Sequence, residues 1–132
     1  MLPNFRGFQA GPDPFGRVWR VEFLWLQNAI SIRHSDSVDV KFVVSSGDTR
    51  AESVVALGHP ALLELSRKAG RPLTDPWCVR LAALHLKRLI EAGEGTERIL
   101  VTPSLADLES YEAALRRART PESPRRPERP GG

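Results

Sequence analysis

Residues Arg17–Phe42 read RVWRVEFLWLQNAISIRHSDSVDVKF, and the period of the apolar residues here decides between a helical and a sheet-forming chain. Trp19, Val21, Phe23 and Trp25 alternate with Arg20, Glu22 and Leu24, the period-two pattern of a half-buried strand. Gln27-Asn28 suits a two-residue hairpin turn, because Asn tolerates positive φ. The returning strand would set Trp25 opposite Ile30, Phe23 opposite Ile32 and Glu22 opposite Arg33. A three-residue loop at Ser35-Asp36-Ser37 would then set Ile32 opposite Val40 and Arg33 opposite Asp39. A one-residue slip would exchange the apolar and polar faces, so the pattern itself selects this register. SSGDTR, residues 45–50, predicts a further turn, and ESVVAL, residues 52–57, a fourth strand.

Beyond Leu57 the period lengthens. Pro60–Ala69 predicts a short helix ended by Gly70. Asp75 as N-cap, Pro76 in the first turn and Gly93 as the stop predict a longer one. On it Cys78, Val79, Ala82, Ala83, Leu86, Leu89 and Ile90 form a wide apolar face, as for a helix lying across a sheet. RILV at 98–101 allows a late fifth strand, and TPSLADLESYEAALRR predicts a last helix with Thr102 as cap and Pro103 at its first position. The expected fold is α+β: an antiparallel β-meander of three to four strands, then two to three helices packed on one face. Residues 1–16, rich in Pro and Gly, predict an irregular arm anchored by Phe5, Phe8 or Phe15; 17–118 form the single domain; 119–132 predict a disordered Arg/Pro-rich tail.

At 132 residues, 41% apolar and 27% charged, the chain suits one soluble domain, and no apolar run approaches the roughly 20 residues of a membrane span. Without an apolar leader-like segment at the N-terminus, and with Cys78 its single cysteine, the expectation is a cytoplasmic protein without disulfides. The net charge of +3 is unevenly spread: residues 1–115 carry −1 and residues 116–132 carry +4. A possible contact with nucleic acid is thereby assigned to the tail and not to the folded body.

Asp39-Val40-Lys41 places a carboxylate and an amine on one face of a strand, and Glu22 offers a second carboxylate on a neighbouring one. The set resembles the metal-binding pattern of PD-(D/E)xK nucleases. Against that chemistry, Arg33 on the intervening strand would fill the place of a shared cation, the Pro-Asp dipeptide is absent from the expected strand, and no acidic helix precedes the sheet. A solvated ladder of opposite charges is the expected role of these residues. Cys78 near a helix start could be a nucleophile and His85 its base, but about 10 Å of helix rise separates them, and the apolar setting of Cys78 predicts burial. His34, His59 and His85 lack metal-ligand spacing, and no phosphate loop or cofactor motif occurs. No catalytic, cofactor or metal site is therefore expected.

Leu24, Leu26 and Val43 share the expected outer sheet face with Arg20 and Arg33, and Trp77, Leu81 and Leu84 widen the apolar surface of the long helix. Apolar residues ringed by charge are the pattern of an association surface. The leading functional expectation is a small non-catalytic interaction or accessory domain that binds a protein partner or a second copy of itself. A nucleic-acid-associated protein and an enzyme with a sheet–helix cleft are the alternatives.

Overall fold

The computed structural model describes residues 5–29, 36–94 and 100–119. Its five strands, β1 Gly7–Ala10, β2 Trp19–Ala29, β3 Ser37–Ser46, β4 Thr49–Gly58 and β5 Leu100–Val101, lie in the order of the sequence. The first four form an antiparallel meander, and β5 joins β4 in parallel. The helices are α1 His59–Ala69, α2 Asp75–Glu91 and α3 Leu105–Arg119. The fold is thus the α+β arrangement expected, with the late fifth strand present.

The path through the meander differs from the sequence expectation. Gln27 and Asn28 do not turn; they continue β2 and lie opposite Asp39 and Val38. Extension through these two residues lets β2 pair with the long, β-branched β3 directly, which gains ladder hydrogen bonds that a turn there would forfeit. Glu22 therefore faces Val43 and not Arg33. The expected strand at Ile30–His34 lies outside the described residues, as do Arg33 and residues 120–132 of the tail. Part of the arm is also a strand: Gly7–Ala10 pairs with Trp19–Glu22, so the edge of the sheet comes from a segment whose glycines and prolines mask its short alternation.

A bulge in β2 decides which side chains face the helices. Phe23 is opposite Phe42 and Trp25 opposite Lys41, which leaves Leu24 unopposed. The extra residue reverses the alternation. Trp19, Val21 and Phe23 point to the core; beyond the bulge Leu26 takes that role and Trp25 turns outward. Both positions are the reverse of the simple period-two expectation. On β3 and β4, Val38, Val40, Phe42 and Val44 with Val55 and Leu57 complete the inner face.

Helix α2 begins one residue earlier than expected: Thr74 is its N-cap, its Oγ1 accepting from the Trp77 N–H, with Asp75 and Pro76 in the first turn. It ends where Gly93, at φ 81°, donates to the Ile90 carbonyl and Glu94 to that of Leu89, the paired closure that a left-handed glycine permits. Its buried residues run nearly all round the helix, from Trp77, Cys78 and Val79 through Leu81, Ala82, Ala83 and Leu86 to Ile90. The sheet covers one side; α3, with Leu108, Tyr111 and Leu115, packs against another. Trp77 and Leu81 are thus core and not surface. Helix α3 starts two residues later than a Thr102 cap would set it. Ser104 and Asp107 cap each other reciprocally at 3.1 Å, with Asp in the place usually held by Glu.

The loop from β1 to β2 is organised by Asp13. Its carboxylate accepts from the Phe15 and Arg17 N–H groups (both 2.9 Å), from Arg17 Nε (3.2 Å) and from the Trp19 indole (3.1 Å). Burial would raise its pKa, but these hydrogen bonds and the Arg17 charge outweigh it and hold the carboxyl at about 2.

The bulge makes a direct prediction about neighbouring leucines. Leu24→Asp should change stability by no more than about 0.5 kcal/mol, whereas Leu26→Asp, which places a charge against the core, should cost about 2 kcal/mol or more. Urea denaturation of the two variants measures the contrast; equal costs would contradict the assigned faces.

Candidate interaction surface

All three helices lie on one side of the sheet, so among the described residues its other face is built from outward-pointing strand residues. Register places them in rows that cross the strands. Gln27, Asp39 and Ala56 form one row; Trp25, Lys41, Val54 and Leu100 the next; then Gly7, Glu22, Val43 and Glu52; then Gln9, Arg20, Ser45 and Arg50. Leu24, Trp25 and Leu100 remain 45%, 36% and 60% exposed. Val43, flanked in its row by the two glutamates, is buried.

The charges of this face are partly paired within it. Lys41 Nζ lies 2.6 Å from Glu52 Oε1 and 5.6 Å from the centre of the Trp25 ring. The Lys41 hydrogen bond and charge hold the Glu52 carboxyl below its usual pKa. Arg20 Nε donates to Glu22 at 3.4 Å, and Asp39 accepts from the Ser37 hydroxyl at 2.8 Å. The Arg20–Glu22 pair is exposed, while the Lys41–Glu52 and Ser37–Asp39 contacts are partly shielded by their neighbours. Arg20, Lys41 and Arg50 balance Glu22, Asp39 and Glu52, so the face carries no net charge among the described residues.

Of the residues singled out from the sequence, Arg20, Leu24 and Val43 come together on this face. Leu26 does not, because the bulge turns it inward. Glu22, Asp39 and Lys41 also lie here, but Glu22 and Asp39 occupy rows four residues apart along β3, about 13 Å. The row between them is that of Lys41. Arg33, expected in that place, is outside the described residues, so it is the spacing and Lys41 that separate the two carboxylates. No group of three or more His, Cys, Asp or Glu among the described residues could hold a metal ion.

Cys78 and His85 are both inside the protein. Burial first, and the Asp75 charge second, push the Cys78 thiol up to about 11, which leaves negligible thiolate at neutral pH. His85 Nδ1 shares a 2.7 Å hydrogen bond with the Tyr111 hydroxyl, and burial lowers its pKa. Burial also raises Tyr111 to about 12. Arg88 lies over the Tyr111 ring and pairs with Asp107 at 3.3 Å, so the four residues join α2 to α3.

Sequence reasoning missed Glu112. Its buried carboxylate accepts from the Trp77 indole at 2.8 Å and from Arg71 Nε at 2.9 Å, with Arg116 at 3.6 Å. It sits on the buried side of α3 between Leu108 and Leu115, a placement that could have flagged a partnered buried acid. With these ties it acts as a strut among the helices, since a buried carboxylate requires such compensation.

Compared with known proteins, the chain matches no family model, no curated protein and no solved structure. Among the described residues no helix is long and apolar enough to cross a membrane.

Two measurements follow from the interior groups. A thiol reagent at about pH 8 should label Cys78 only as fast as the protein unfolds, and fast labelling of the native chain would contradict its burial. The His85 pKa is lower in the folded state than its ordinary 6.5, so the unfolded chain binds the proton first. Stability is full above that value and falls as pH drops below it, levelling off under the lower folded-state pKa. Urea midpoints at about pH 7.5 and about pH 5.5 should differ less for His85→Phe than for the wild type; an equal slope would place the loss elsewhere.

Proposed function

We propose that the chain is a small non-catalytic interaction domain whose working surface is the open face of its sheet, with a protein as partner. The observation that carries this reading is the exposure of Leu24, Trp25 and Leu100 within a border of charged residues of both signs. A half-exposed Trp with two exposed leucines near it, Leu24 next in sequence and Leu100 in its own row, is the composition of an interface centre, where a few anchors supply most of the binding energy. The balance of charge suits a protein surface better than a polyanion, which would call for a basic face. The chemistry-bearing side chains of the interior support it too: Cys78 is held as a thiol, and His85 and Glu112 are engaged with neighbouring helices. A single buried thiol also suits a reducing compartment such as the cytoplasm.

The test is affinity capture with the full-length chain and two variants, Trp25→Glu on the open face and Leu63→Glu at the exposed side of α1. Wild type and Leu63→Glu should retain the same nuclease-resistant protein in stoichiometric amount, and Trp25→Glu should lose it. Equal retention by all three, or recovery of nuclease-sensitive nucleic acid alone, would overturn the reading.

A further inference from the structure

The charges of the open face alternate in sign from row to row along the strands. Asp39 is followed by Lys41, then by Glu22 with Glu52, then by Arg20 with Arg50. In each of the last two rows the like charges stand on β2 and β4, on either side of Val43 or Ser45 of β3. Rows of a strand face are about 6.8 Å apart, two residues of rise. Such a striped face has a property that a random mixture of charges lacks: shifted by one row, it is the complement of itself.

From this pattern we infer that the occupant of the face is a second copy of the chain, packed sheet to sheet about a two-fold axis that crosses the strands between the Lys41 and Val43 rows. The inference rests on the interaction-domain reading and names its partner. About that axis β3 lies over β3 of the second copy with the strands antiparallel. Lys41 then stands above Val43 of the second copy, between its Glu22 and Glu52. Asp39 stands above Ser45 of the second copy, between its Arg20 and Arg50. Each contact recurs in reverse, as an isologous interface requires. All four rows overlap, and in every one opposite signs meet. Leu24, extruded by the bulge at the level of the axis, meets its own copy, with Trp25 beside it.

Sheets packed face to face sit about 10 Å apart, within reach of Lys, Arg and Glu side chains from both sides. The face measures on the order of 600 Å² per copy from strand spacing and rise, a little below the ~800 Å² per partner of standard stable complexes. A dimer of micromolar strength is therefore expected, and Lys41 can keep its own Glu52 while bridging to the second copy.

Sedimentation velocity on the full-length chain from about 1 to about 200 µM should carry the mass from one chain to two. Asp39→Lys, which sets the new lysine against Arg20 and Arg50 of the second copy, should weaken the dimer at least tenfold. Adding Arg20→Glu and Arg50→Glu in the same chain should restore it, a rescue that damage to the fold would not produce. A measurement without any variant supports this. Trp19 and Trp77 are 1% and 2% exposed, so acrylamide quenching reports chiefly Trp25 and should fall as concentration rises. A single-chain mass throughout the range, a dimer indifferent to Asp39→Lys, or a loss that the added substitutions do not restore would each overturn the inference. A monomeric chain that still loses its captured protein on Trp25→Glu would overturn the second-copy assignment and leave the interaction-domain reading standing.

Discussion

Helix α2 is the element to which the rest of the structure is fitted. Leu81, Ala82, Ala83, Leu86 and Ile90 are wholly buried, and Trp77, Cys78, Val79 and His85 nearly so. A helix apolar around this much of its circumference requires cover on more than one side. The inner face of the sheet supplies one surface and α3 another, while α1 packs between α3 and β4. The polar atoms that such burial would strand are matched: the Trp77 indole by Glu112, His85 by Tyr111. The apolar sum of these side chains is the main stabilising term, at about 25 cal/mol per Å² removed from water.

Placing every helix on one side has a consequence for the other. Among the described residues the sheet keeps one face built from strand residues, and the bulge at Leu24 puts Leu24 and Trp25 there. Without it Trp25 would join Trp19, Val21 and Phe23 in the core and Leu26 would face out. With it the face acquires an aromatic ring and an exposed leucine beside a lysine whose ammonium lies over that ring. A bulge is a local loss of ladder pairing, tolerated where it re-aims a side chain. Here it separates the half of β2 that serves the core from the half that supplies the surface.

The polar groups divide in the same way. Those inside tie elements together: Asp13 orders the loop between β1 and β2, and Glu112 joins α3 to the start of α2 and to Arg71. Those on the open face pair with one another at or near the surface, where salt screens them. Such pairs are poor struts, but their arrangement in rows of alternating sign is specific, and specificity of arrangement is what recognition needs.

The helices and the β3–β4 hairpin were legible from the chain alone. Their signals are local: Pro60 and Pro76 in first turns, Gly70 and Gly93 in left-handed stops, alternation from Val38 to Phe42, and a turn at Gly47. The outward-facing register of Asp39 and Lys41 and the burial of Cys78 follow from the same periodicities. Only the tertiary structure decided the pairing of β2 with β3, the recruitment of Gly7–Ala10 as an edge strand, the inward turn of Leu26 and the burial of Glu112. Gln27-Asn28 favours a turn by local propensity, and pairing with the ten-residue strand that begins at Ser37 overrode it. A bulge leaves no mark in composition, because its cost is local while its gain lies in what the reversed alternation brings to each face. Local propensities are written residue by residue; which faces meet depends on contacts between segments that no single stretch contains.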